Sequence, residues 1–222
     1  MNLTLEIKKI INKNIFSTSN YIDNEFTITL DELVSFKSVG LSQPREKKFN
    51  SIQCKYLKSN NIKYDGSINF SDILEINAKK EEVEKYKLDK GDFLINVRNG
   101  NDNIGKTGIF NSDEITLYNS NILRIKFNKN VNPYYIHYQF QSTIIQNQLD
   151  QIKSGTSSVV NISYKTLGNV KLLCPPKSEQ DRIVENLDLI YLKSNLLNEL
   201  VSKKSANIKS LMEGLVDIVF QK

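Results

Sequence analysis

The chain has 222 residues, enough for one large domain or a domain with an appendage. Its 30 Lys and Arg against 25 Asp and Glu leave a net charge of +5, which leans towards a nucleic-acid partner. A single histidine, His137, and two distant cysteines, Cys54 and Cys174, exclude His-rich metal sites and zinc fingers or ribbons; a Ser-His-Asp mechanism would rest on that one imidazole.

Residues 1–25 read as an N-terminal extension. Met1 to Ile11 is amphipathic, contains Glu6 and lacks the apolar core and cleavage site of a secretory signal. No run of 18 apolar residues occurs, so no membrane-spanning helix is expected. With two separate thiols, the chain is expected in the reducing cytoplasm. Phe26 to Leu30 and Val34 read as extended. Gly91-Asp92 is a turn signal before an apolar strand, Phe93 to Val97. Ile109-Phe110 and Ile122 to Phe127 read as further strands. The last alternates apolar and basic residues, as on a half-exposed sheet face. Pro133 opens a helix, Tyr134 to Leu149. Its Tyr134, Tyr135 and Tyr138 are able to stack on bases but fit better as a face packed on the sheet. His137 is expected at the surface or partly buried, and the two cysteines as packing groups. Ser154-Gly155-Thr156-Ser157-Ser158 is a polar loop, and Val170 to Cys174 closes the domain as a strand.

Cys174-Pro175-Pro176 then stops regular structure, because proline removes a donor and restricts its predecessor. Ser178-Glu179-Gln180-Asp181 caps a new helix with early carboxylates. From there to the end, Ile183, Leu187, Ile190, Ser194, Leu197, Val201, Lys204, Ile208, Leu211, Leu215 and Ile218 alternate spacings of four and three. Nine of these eleven are apolar. That is a coiled-coil stripe on a helix of roughly 60 Å, long enough to need a partner helix. Residues 178–222 carry six basic and seven acidic side chains, a net of −1, which leaves +6 for residues 1–177. The fold class is therefore α+β: a mixed or antiparallel-sheet domain over residues 26–177, followed by a long helix over 178–222.

Gly100-Asn101-Asp102-Asn103-Ile104-Gly105-Lys106-Thr107 spells a Walker A string after an apolar strand. A phosphate site also needs a helix beginning at Lys106-Thr107, whose N–H groups and dipole face the phosphates. Gly108 and a two-residue apolar step follow instead, and no magnesium-binding acid closes a later strand. A plain Gly/Asn hairpin loop between strands fits better; a third reading places that loop against DNA phosphates, with Arg98, Asn99, Asn101 and Lys106 as donors.

Several passages, in order, resemble the specificity subunits of type I restriction-modification systems. Thr29 to Val34 looks like the opening strand of a target recognition domain. Leu88-Asp89-Lys90-Gly91-Asp92-Phe93-Leu94 is similar to an L-x-x-G-D-hydrophobic-L segment, and Gly105 to Gly108 to a short Gly-bearing hairpin. Asn132 to Ile136 resembles a helix start, and Gly155-Thr156 with Ile162-Ser163 a passage before the last strand. Leu173 to Pro176 with Ser178-Glu179-Gln180 and Ile183 resembles the signature opening the long conserved helix. Cys174 and Lys177 stand where that signature has proline and leucine, and residues 1–25 do not match.

The resemblance implies a non-catalytic recognition subunit without cofactors of its own. S-adenosylmethionine and ATP would sit on a methyltransferase and a motor-nuclease partner. The family usually carries two recognition domains, each followed by a long helix, and the two helices pair. One domain and one helix here imply a half-length chain acting as a homodimer on a two-part palindromic site in double-stranded DNA. The implied DNA contacts are Arg45, Lys47, Lys48, Arg98, Asn99, Asn101, Lys106, Ser154, Thr156, Ser157 and Lys165. The alternatives are a P-loop nucleotide-binding enzyme using Gly100 to Thr107, or a coiled-coil interaction protein.

Overall fold

A computed structural model describes Phe16 and residues 25–42, 51–100, 103–156 and 159–220. In chain order its elements are β1 (Thr27–Thr29), α1 (Leu30–Leu33), β2 (Val34–Val39), β3 (Ile52–Leu57), β4 (Leu74–Ala78), α2 (Lys80–Tyr86), β5 (Phe93–Asn96) and β6 (Arg98–Asn99). There follow β7 (Thr107–Ile109), β8 (Thr116–Tyr118), β9 (Ile122–Phe127), α3 (Pro133–Phe140), α4 (Thr143–Ile152), β10 (Ser154–Gly155), β11 (Val160–Asn161), α5 (Tyr164–Leu167), β12 (Lys171–Leu173) and α6 (Lys177–Phe220).

The centre is an antiparallel sheet in the order β2-β9-β5-β7. Side chains alternate across it. Phe93, Ile95, Leu123 and Ile125 face the main core, which α3, α4 and the start of α6 complete with Tyr135, Ile136, Leu149 and Leu187. Leu94 and Ile122 face the other way, into a second cluster with Leu57, Phe110 and Tyr118. There a second sheet, β4-β3-β8, lies over β5 and β9, with β3 and β8 parallel. β1 pairs antiparallel with β12, so the domain's first and last strands meet just before α6 leaves.

Three expectations need correcting. Leu30 ends the first strand and begins a one-turn helix, whose Thr29 N–H is capped by Glu32 at 3.0 Å. The helix expected from Tyr134 to Leu149 is two helices. Gln141 ends α3, and the Ser142 hydroxyl accepts the Ile145 N–H and starts α4. The strand Ile122–Phe127 stands where the alternation put it, but not half in solvent. It is interior to its sheet, and Arg124 is only 6% exposed.

Helix α2 was not anticipated, because Lys80 to Tyr86 is charged and anchors one wholly core residue, Val83. His137 is buried, as are Tyr135 and Tyr138, whereas Tyr134 is exposed. Of residues 1–24 only Phe16 is described: its ring meets Tyr135 edge-on at 5.7 Å in the main core. Among the described residues, no helix is long and apolar enough to cross a membrane.

Candidate nucleic-acid interface

The loop between β5 and β7 is clasped at its base by Asn96, which is wholly buried. Its N–H donates to Lys106 O at 2.9 Å and its carbonyl accepts from Gly105 N at 2.8 Å. Its amide Nδ2 donates to Ser59 O at 2.9 Å and to Asn103 O at 3.1 Å. The excursion closed by this clasp adds β6 to a small antiparallel sheet in the order β10-β11-β6. Arg98 pairs with Asn161, and Asn161 with Ser154, so the three side chains share one face. All three are exposed. On the opposite face Val160 is buried, and Asn99 donates to Ser59 Oγ at 2.7 Å. Charged and polar side chains therefore point outward in a row from three strands about 5 Å apart.

Lys106 closes the same loop, its carbonyl accepting from Asn96 N two residues before Arg98. Its ammonium donates to Asn103 Oδ1 at 2.6 Å and sits 3.5 Å from the centre of the Tyr64 ring. Thr156 is exposed and shapes the turn after β10: its N–H donates to Val159 O at 3.0 Å and its Oγ1 accepts from Val159 N at 3.4 Å. Lys165 is exposed on α5, whose Tyr164 hydroxyl donates to Asp31 on α1. The structure thus brings Arg98, Asn99, Lys106, Ser154 and Thr156 into one region and sets Lys165 with the α1–α5 contact. Arg45, Lys47, Lys48, Asn101 and Ser157 lie outside the described residues.

Asn161 and Tyr64 were missed by sequence reasoning. Each lies far along the chain from Arg98 and Lys106, and no local pattern signals the approach. The Walker string is not a P-loop: Thr107 begins strand β7, antiparallel to β5, where a P-loop needs the start of its phosphate-binding helix. The Thr107 hydroxyl, which would meet magnesium, is buried 2.9 Å from His137 Nδ1.

A separate groove of about 750 Å³ runs between β2–β9 and α2, with Phe36, Lys85, Lys87, Arg124 and Lys126 among its lining. Three of its five lining cations have carboxylate partners. Arg124 and Lys126 both meet Asp89, at 2.9 and 2.6 Å, and Lys37 meets Asp31 at 3.3 Å. The Lys126 hydrogen bond holds the Asp89 carboxyl below its ordinary value.

The long helix is anchored before it departs. Gln180, wholly buried, donates to Asn130 O at 3.2 Å and Pro175 O at 2.7 Å and accepts from Asn132 N at 2.8 Å. Asn132 also donates to Asp181 at 2.7 Å, and the Tyr138 hydroxyl to Asp188. Burial and the Asp188 carboxylate push the Tyr138 phenol far up. Val184, Leu187 and Tyr191 enter the main core, and Ile183 packs at its edge. Leu187, assigned to a partner helix by the heptad reading, is thus used by the domain itself, because the first four turns of α6 lie against α3. Ile190 is exposed. Beyond it, Leu197, Val201, Ile208, Leu211 and Leu215 are all exposed, and so are Leu192, Leu196, Leu200 and Met212. The Ile218 side chain lies outside the described residues.

Residues 6–205 match the model of the type I restriction modification DNA specificity domain. The chain is 24% identical over 159 residues to the Escherichia coli K12 type I restriction enzyme EcoKI specificity subunit, covering 70% of this chain and 34% of that protein. It is 28% identical over 139 residues to a putative type I specificity subunit of Methanocaldococcus jannaschii, covering 62% and 33%. It therefore spans about a third of the length of these curated relatives. A chain from a type I restriction-modification assembly superposes with a TM-score of 0.67 at 18% identity, over 97% of this chain and 53% of its own. The HsdS subunit of Thermoanaerobacter tengcongensis gives 0.62 at 18%, over 98% and 50%. With this match across nearly its whole length, and with the same fold in both structures, the chain belongs to the type I restriction-modification DNA specificity domain family.

Proposed function

We propose that this chain is a sequence-specific DNA-recognition subunit of a type I restriction-modification methyltransferase complex, itself without catalysis or cofactor. The observation that carries the reading is the outward row Arg98, Asn161 and Ser154 beside Lys106, on a domain holding the chain's positive excess. Cations on such a surface set register on phosphates, and polar side chains read base edges. The proposed partners are double-stranded DNA, an adenine methyltransferase subunit that binds S-adenosylmethionine, and an ATP-driven motor-nuclease subunit. The proposed place is the cytoplasm.

The exposed apolar stripe beyond the anchored turns supports pairing with a second long helix. We take that partner to be a second copy, so that two identical domains face a two-part palindromic site. Methylome sequencing of cells expressing this chain with its methyltransferase tests both points. A palindromic, bipartite, adenine-methylated motif is expected. An asymmetric motif rejects the homodimer, and no new motif rejects the recognition role.

A further inference from the structure

The turn that carries Tyr64 is held more firmly than a chain reversal requires. Ile62 and Ile68 bridge its base, and Lys63 N donates to Ser67 O at 2.9 Å. Asp65 Oδ1 accepts from Ser67 N at 3.0 Å and Ser67 Oγ at 2.7 Å. Gly66 has φ +82°, and a Cβ there would lie 2.2 Å from the His137 ring. Behind it, His137 Nε2 lies 2.7 Å from Gln141 Nε2, which also donates to Asp65 O at 3.3 Å. The other imidazole nitrogen meets Thr107 on β7. The chain's one histidine is therefore a buried strut between α3, β7 and this turn. At the tip of so rigid a turn, Tyr64 is 66% exposed.

Lys106 rests on that ring. A chain of hydrogen bonds links the pair to β6, the strand that carries Arg98: Asn99 to Ser59, Asn96 to Ser59 and Asn103, and Lys106 to Asn103. An exposed ring with an amphipathic body and a fixed cation on one side matches a nucleotide, which offers an apolar sugar–base surface next to a phosphate.

We propose that Tyr64 and Lys106 act as one DNA contact, the ring packing on a nucleotide's sugar and base while the ammonium meets the adjacent phosphate, and that the His137 strut positions Tyr64. This rests on the DNA-recognition reading above. The test is binding of the full chain to mixed-sequence duplex DNA across a salt series. Tyr64→Ala should lower affinity about tenfold with an unchanged salt slope, because no charge is lost. Tyr64→Phe should bind as wild type. Lys106→Ala should lower affinity and reduce the slope by about one. The double variant should lose less than the product of the single losses, since the two groups form one contact. Gly66→Ala should weaken binding in the wild-type background and leave Tyr64→Ala unchanged. Equal affinities for wild type and Tyr64→Ala, or independent losses at Tyr64 and Lys106, overturn the paired contact. A Gly66→Ala loss that persists without Tyr64 overturns the positioning role, and a misfolded Gly66→Ala leaves the Tyr64 and Lys106 variants to decide the contact. A wild-type chain that binds no duplex DNA instead overturns the DNA reading itself.

Discussion

Arg124 sits in a strand whose alternation of apolar and basic residues reads as a wet face, yet its charge is buried and met from several sides. Nη1 donates to Lys87 O at 2.7 Å, Nη2 to Asp89 at 2.9 Å, and Nε lies 2.7 Å from Asp92 Oδ2 without the angle of a hydrogen bond. Asp92 is as buried as its partner, and burial pushes its carboxyl up from the ordinary value. The Gly91-Asp92 turn, legible as a turn in the sequence, is thus tied to β9 by a charge pair that the sequence does not announce. Removing one partner of a buried pair leaves the other without compensation. Arg124→Met is therefore expected to cost about 3–5 kcal/mol of folding stability, read by denaturant unfolding. Lys126→Met, at a position 40% exposed on its side chain, should cost no more than about 1 kcal/mol. Equal effects at the two sites would show that burial does not separate them.

Helix α6 has two parts with different roles. Its first turns are latched by Gln180, the glutamine of the S-E-Q signature, and their apolar residues belong to the domain core. Its later turns expose leucines on more than one face, and an isolated helix with so much apolar surface in water gains little from propensity alone. The heptad count was legible in the sequence. What was not legible is where the stripe changes partner, because Leu187 and Leu197 are the same residue type on one continuous four-three stripe. Leu197→Glu with Leu211→Glu is expected to convert a dimer to a monomer without unfolding the domain, since both side chains are exposed and clear of the core. Light scattering reads the mass, and one that stays dimeric rejects the distal stripe as the seam.

Across the whole molecule, the positive excess lies in the domain and the long helix is slightly acidic. Binding to DNA through the domain should therefore weaken steeply with salt. Arg98→Ala is expected to lower affinity and to reduce the log–log salt slope by about one; an unchanged slope and affinity would remove the outward row from the contact. The sequence by itself determined the α+β class, the strand Ile122–Phe127, the proline stop, the long helix and the family resemblance. These follow from periodicity, turn residues and motif order, which are written along the chain without reference to which distant segments pack together. The hairpin reading of the Walker string was legible too, from Gly108 and the missing helix; only the tertiary structure decided that Arg124 is buried and that Asn161 and Tyr64 stand beside Arg98 and Lys106. Those facts depend on which distant strands pair and in what register, and that choice is made by packing the whole core rather than by any one segment.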